Sequence, residues 1–233
     1  MTKALLASAV LLIASGCATT SGTPNPKDPW EGYNRSMYEF NDTVDKAVLK
    51  PIAQGYEKVT PDFVRQGVSN FFDNLQDLST GLNNLLQGKF SEGAGDLGRL
   101  VVNSTIGILG LWDVATPMGL EKHNEDFGQT LGWWGVPPGP FFVIPIFGLS
   151  TLRDAPARYV DPSFAYNRQL SDVAVRNSLY GLDVVRTRAS VLKAEKVRDE
   201  AALDKYSFTR DAWLQRRRNM VFDGKPPKDP DDE

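Results

Sequence analysis

Apolar positions recur at helical spacing through most of the chain. From Glu31 to Leu49, Tyr33, Met37, Phe40, Val44 and Val48 fall three and four residues apart, and Pro51 is expected to end that helix by removing a backbone donor. Val68, Phe71, Phe72, Leu75, Leu78, Leu82, Leu85 and Leu86 form a second stripe that stops at Gly88. A third apolar segment, Leu100 to Trp112, carries no charge but is interrupted by Asn103, Ser104 and Thr105 and by Gly107 and Gly110. Leu170 to about Lys196 reads as a long helix with Leu179, Leu182, Val185, Ala189 and Leu192 on one side, followed by a shorter one that carries Trp213 and ends near Val221. Strand alternation is almost absent, so the expected class is all-α.

Against this periodicity, Phe127 to Leu152 has no acidic, basic or histidine residue, yet it holds Pro137, Pro138, Pro140 and Pro145 and is rich in glycine. A spanning helix needs about 20 apolar residues with every backbone group paired inside the segment, and these prolines break the ladder. Irregular backbone is tolerated at membrane depth only where protein buries it or a cavity borders it. Two readings follow: an apolar loop over a soluble core, or part of a body that sits in lipid and encloses a cavity. The amphipathic stripes divide the same way, since such a helix buries its apolar face either in a core or in the interfacial plane of a bilayer. Trp30, Trp112, Trp133 and Trp134 flank the apolar segments as an interfacial aromatic belt would, and core packing accounts for them equally.

The N-terminus shifts the balance. Lys3 precedes an apolar run from Ala4 to about Ala14, too short to span and of signal-peptide length, and it ends in Ala14-Ser15-Gly16-Cys17, which resembles a bacterial lipobox. Cys17 is the sole cysteine, so it has no disulfide partner within the chain. It is read as the lipidation site, carrying a covalent diacylglycerol and an acyl group; acyl chains contribute roughly 0.8 kcal/mol per buried methylene and so make a lasting anchor. Ala18, in place of an aspartate, favours sorting to the outer membrane. The expected organisation is a signal peptide at 1–16, a lipidated tether at 17–29, one helical domain at 30–222, and a Pro-, Lys- and Asp-rich disordered tail at 223–233.

Composition removes several functions. Net charge is −3 and no basic run is interleaved with aromatics, so nucleic acid is not an expected partner. Gly93, Gly95 and Gly98 match GxGxxG without a preceding strand, and Asp126-Phe127-Gly128 spells a kinase triplet without the other kinase motifs. His123 is the only histidine, set among charged and polar neighbours as on a solvated face. With one histidine and one cysteine, neither a metal centre nor a Cys/His dyad is expected, and no nucleophile elbow or paired-carboxylate spacing marks a catalytic site.

Longer blocks carry a family resemblance. Asp28-Pro29-Trp30-Glu31-Gly32-Tyr33-Asn34-Arg35, Gly67 through Leu75, Leu86-Gln87-Gly88-Lys89, Asn103 through Gly107, Glu125 through Gly132, Gly139-Pro140 and Leu149 through Asp154 resemble the MlaA (VacJ) family of outer-membrane lipoproteins, over about residues 28 to 220. The resemblance implies a ring of amphipathic helices embedded in one leaflet around a central amphiphilic channel. It implies transport without catalysis and without a cofactor beyond the lipid on Cys17: phospholipids mislocalised to the outer leaflet pass to a periplasmic carrier of the Mla type. In enteric members such proteins associate with trimeric porins. The loop bordering the channel or gating it is then expected at Trp133, Trp134, Gly135, Gly139, Pro140 and Gly148, and polar lining at Asn103, Ser104 and Thr105, which could instead cap a helix bend. Two other classes remain beside this one, a scaffold lipoprotein that moves no lipid and an envelope hydrolase.

Overall fold

The computed structural model describes residues 25–161 and 170–228. Cys17 and the greater part of the tether lie outside the described residues. Helix α1 spans Glu31–Val44 and runs through a π-helical turn, Asp45–Leu49, directly into α2, Lys50–Val59. Pro51 therefore does not stop the helix. The wider turn, in which the Lys50 amide donates to the Asp45 carbonyl, shifts the ladder and leaves proline in the first turn of α2, where its missing N–H is tolerated. Pro61 makes the real break, opening α3, Asp62–Leu86.

The α3 helix closes at Gly88 (φ +79°), where the Lys89 amide reaches back to the Asn84 carbonyl, and the chain reverses into α4, Phe90–Thr105. These two helices form a tight antiparallel pair. A Cβ on Gly93 would meet Leu85 at 2.8 Å and the Gly81 carbonyl at 2.9 Å, so small residues set the approach. The GxGxxG match thus lies inside a helix, where Gly93 packs against α3 and Gly95 faces open space. The uncharged third segment is helical only to Thr105; Ile108 (φ +53°) and Leu109 (φ +57°) then turn through left-handed geometry.

After a long loop come α5, Phe127–Trp133, strands β1, Phe141–Ile144, and β2, Gly148–Thr151, and α6, Asp154–Val160. The strands pair antiparallel with Phe141 opposite Thr151 and Ile144 opposite Gly148. This hairpin departs from the expectation of a loop through Gly148, although the chain remains essentially all-α. The expected long C-terminal helix is α7, Val173–Ser190, then α8, Leu192–Ala201, separated at Val191. The last helix, α9, is Lys205–Val221, capped by the Asp204 carboxylate. Among the described residues the clusters of buried apolar side chains are small: Ala53, Ala189 and Leu192 join α2 to α7 and α8, and Phe141, Val143 and Tyr206 join the hairpin to α9 with Met37, Tyr38 and Trp213 around them. Among the described residues no helix is long and apolar enough to cross a membrane.

Candidate functional site

The polarity of the α3–α4 pair is inverted. On α3, Asn74, Asp77, Ser79, Thr80, Asn83 and Asn84 are buried, while Leu78, Leu82 and Leu86 are exposed at 41%, 37% and 50%. On α4, Asp96, Arg99 and Asn103 are buried, and Phe90 and Val101 are exposed at 70% and 62%. Buried polar and charged side chains outnumber buried apolar ones among the described residues. In an aqueous core, polar groups are buried sparingly and large apolar ones are not left outside in continuous stripes.

The polar interior is organised around charged nodes. Arg99 donates to Thr116 Oγ1 at 3.0 Å, the Leu120 carbonyl at 2.7 Å and both oxygens of Asp113, and its Nε lies 3.4 Å from Asp77. Burial pushes the Asp77 carboxyl up to about 6 despite the guanidinium beside it. Asn103 accepts from the Val114 and Ala115 amides and donates to Asp113, folding the loop onto α4. Ser104 accepts from Asn74 Nδ2 at 2.9 Å, and Thr105 bonds back to Val101 in its own helix. Asn103 and Ser104, two of the three polar groups expected to line a channel, are thus engaged in holding this interior together, while Thr105 is exposed and bonds within its own helix. His123 is half-buried with Nδ1 at 3.0 Å from the buried Asp96, not freely solvated.

A second node fixes the proline-rich segment. Asp126 caps α5 by accepting from the Gln129 amide at 2.9 Å, and Arg217 of α9 clamps it bidentately at 2.5 and 2.6 Å while reaching Asp154 of α6 at 2.9 and 3.1 Å. Burial alone would raise both carboxyls; the Arg217 guanidinium outweighs it and holds both below the ordinary range. Nearby, burial pushes the Glu125 carboxyl up to about 7 although Gln87 donates to it at 2.8 Å and Lys89 lies at 3.4 Å.

Trp133 and Trp134 stand on the outer surface, 45% and 53% exposed, with Lys89 over the Trp133 ring and Trp134 Nε1 donating to the Leu86 carbonyl at 3.1 Å. The loop beyond them is laced to the end of β2: the carbonyls of Pro138 and Pro140 accept from the Arg153 and Leu152 amides, both at 3.1 Å. Gly135 (φ +88°) has open space where a Cβ would project, whereas at Gly139 (φ +66°) a Cβ would meet Leu152 at 3.1 Å. Gly135→Val and Gly139→Val are each expected to cost about 1–3 kcal/mol of backbone strain, with Gly139→Val the worse. Gly135→Asn, which tolerates the left-handed region, should restore most of it. Thermal unfolding of the three variants tests this order.

A cleft of about 530 Å³ lies between α1, the hairpin and α7 to α9. Its apolar wall includes Val143, Leu149, Val191, Ala194, Phe208 and Trp213; its polar wall includes Tyr38, Asp45, Arg188, Glu195, Arg198 and Arg216. Gly148 also lines it, but the other expected loop residues do not. The enclosure is amphiphilic, one side suited to hydrocarbon and the other to charge. Periodicity marked Trp213 but nothing in the sequence joined α1 to α9 across this cleft. The signal that existed was the run of arginines at 216–218, which lacks the aromatic interleaving of a nucleic-acid site.

The model of the MlaA lipoprotein family matches residues 26–220. The chain belongs to that family. The intermembrane phospholipid transport system lipoprotein MlaA of Escherichia coli (strain K12) is 32% identical to it over 98% of this chain and 92% of the relative. An uncharacterized protein of Rickettsia bellii is also 32% identical, over 89% of this chain and 82% of its own length. A solved structure, reported as a structural basis for maintenance of bacterial outer membrane lipid asymmetry, superposes with a TM-score of 0.72 at 30% identity and covers 83% of this chain and 98% of that one. The family blocks fall where the fold needs them: Asp28 and Asn34 bond each other at 2.7 Å under the hairpin, and Glu125 to Thr130 carry the second charged node.

Proposed function

We propose that this MlaA-family chain is an outer-membrane lipoprotein that removes mislocalised phospholipids from the outer leaflet and passes them to a periplasmic carrier, maintaining lipid asymmetry. The observation that carries this reading is the inverted polarity of α3 and α4, with Leu78, Leu82, Leu86 and Val101 outside and Asp77, Asn83, Asn84 and Arg99 inside. Acyl chains solvate such an exterior, and a polar interior offers a headgroup a route that hydrocarbon denies it. No helix has to span the bilayer for this; a ring lying in the periplasmic leaflet, anchored through lipid on Cys17 and facing the periplasm, is enough. Transfer of an intact phospholipid needs no bond to be made or broken, so the reading requires no catalytic residue. A carrier of the Mla type and, as in enteric relatives, a trimeric porin are the partners it implies.

The test follows labelled outer-leaflet phospholipid in cells with and without the protein. Label should reach the inner membrane faster with it, and equal rates would leave the scaffold reading. Cys17→Ser should shift the protein from the outer membrane to an uncleaved or soluble periplasmic form in membrane fractionation, because the mutation removes several acyl chains' worth of partition energy. Full retention and activity of that variant would make the acyl chains secondary to the helical ring.

A further inference from the structure

The final helix presents three consecutive arginines in different directions, since neighbouring residues on a helix are about 100° apart. Arg217 is neutralised by Asp126 and Asp154, and Arg218 donates to the Pro227 carbonyl. Arg216 faces the cleft instead. Among the described residues no hydrogen bond, ion pair or ring contact engages its side chain. The other charges on that polar wall are committed: Arg188 to Asp45 at 2.6 Å and to Glu195 at 2.5 Å, Arg198 to Asp199 at 2.9 Å, and Asp42 to Lys46 at 2.6 Å. Arg188 also has its buried Nη1 without a hydrogen-bond partner, but its other nitrogens hold Asp45 and Glu195.

The same face of α9 carries Thr209, Ala212 and Trp213 at helical spacing from Arg216, with Phe208 one turn beyond, so a strip of mostly apolar side chains leads to one uncommitted cation. A ligand suited to both needs a hydrocarbon body ending in an anion. A planar guanidinium binds the paired oxygens of a phosphodiester in fork geometry, which an ammonium cannot reproduce. We propose that Arg216 recognises the phosphodiester of a diacyl phospholipid held in this cleft, its chains along Phe208, Ala212 and Trp213. The inference rests on the transport reading and adds to it the group that distinguishes a phospholipid from a neutral lipid.

The experiment measures binding by the purified full-length protein, through quenching of tryptophan fluorescence, of four probes: dihexanoyl phosphatidylglycerol, dihexanoylglycerol, glycerol phosphate and inorganic phosphate. The wild-type protein should bind the phospholipid roughly tenfold to a hundredfold tighter than each of the others. Arg216→Gln should lose that advantage over dihexanoylglycerol while keeping the affinity for dihexanoylglycerol itself, and Arg216→Lys should keep only part of it. Arg216 is exposed and unpaired, so these variants are expected to fold as the wild type does, and circular dichroism checks it. Unchanged phospholipid affinity in Arg216→Gln overturns the assignment and leaves the transport reading standing. Inorganic phosphate bound as tightly as the phospholipid overturns it in favour of a free-anion site. Failure of the wild-type protein to bind any phospholipid removes both.

Discussion

Replacing Arg217 with alanine is expected to destabilise the fold by about 3 kcal/mol, the lower end of the range for breaking a buried ion pair. Its side chain is 12% exposed and bridges Asp126, which caps α5, to Asp154, which starts α6, so it ties the C-terminal helix to both ends of the proline-rich segment. Asp154 keeps a second partner in Arg153 Nε at 2.9 Å, which limits the loss. Asp126 keeps its cap bond from the Gln129 amide, a longer one from Gln129 Nε2 at 3.4 Å, and partial access to water. A drop of about 6–12 °C in Tm is expected for a chain of this size. The acid dependence changes as well. Both carboxyls sit below their ordinary value in the folded protein, so the unfolded chain binds protons first as pH falls. The stability they contribute is full above about pH 4 and is lost on acidification through the folded values. Arg217→Ala should show a smaller acid-linked loss, whereas Arg216→Ala should stay within about 0.5 kcal/mol of the wild type at all pH values. An unchanged Tm for Arg217→Ala would mean that α9 docks without this clamp.

The second large effect separates lipid from water at the outer face. Leu78 and Val101 are 41% and 62% exposed, so their replacement by aspartate would alter a protein surrounded by water by only about 0.5 kcal/mol. In contact with acyl chains the same change costs up to about 2.5–3.5 kcal/mol. Leu78→Asp and Val101→Asp are therefore expected to be near-neutral for unfolding in mild detergent, where the charge can find water, and to reduce abundance in the outer membrane strongly. A lipid-soluble photoprobe should label Leu82 and Val101 and spare Thr80 and Asn83, two and one residues from Leu82; Phe72 is buried and should be spared too. Equal outer-membrane abundance of both aspartate variants, with no labelling at Leu82, would remove the embedded ring.

Much of the helical framework was legible because a period of three to four residues survives whichever way a helix faces. The stripe on α3 ends at Gly88 as read, and Leu179, Leu182, Val185, Ala189 and Leu192 do lie on the inner side of α7 and α8. The hairpin was not legible. Phe141 and Val143 are fully buried, yet the alternate, half-buried positions Phe142 and Ile144 are apolar as well, so the alternation that marks a strand is erased. Pro51 misled because the stop it signals was absorbed by a π-helical turn, a local rearrangement with no composition signature.

The candidate site divides the same way. The lipobox at Cys17 and the family blocks are linear features, and a linear reading finds them. Asn103 could be seen as an odd polar residue in an apolar run, but that it folds the loop at 113–115 onto α4 depends on partners more than ten residues away. The cleft is built from α1, the hairpin and the last three helices, and Arg216 differs from Arg217 and Arg218 only in what each one meets. The sequence by itself determined which residues share a helix face and that each face is either apolar or polar, because covalent order and the helical repeat settle that. Only the tertiary structure decided that the polar face of α3 and α4 turns inward. Periodicity has no sign, and the choice belongs to the charged partners, Arg99 among them, that the fold brings to the other side.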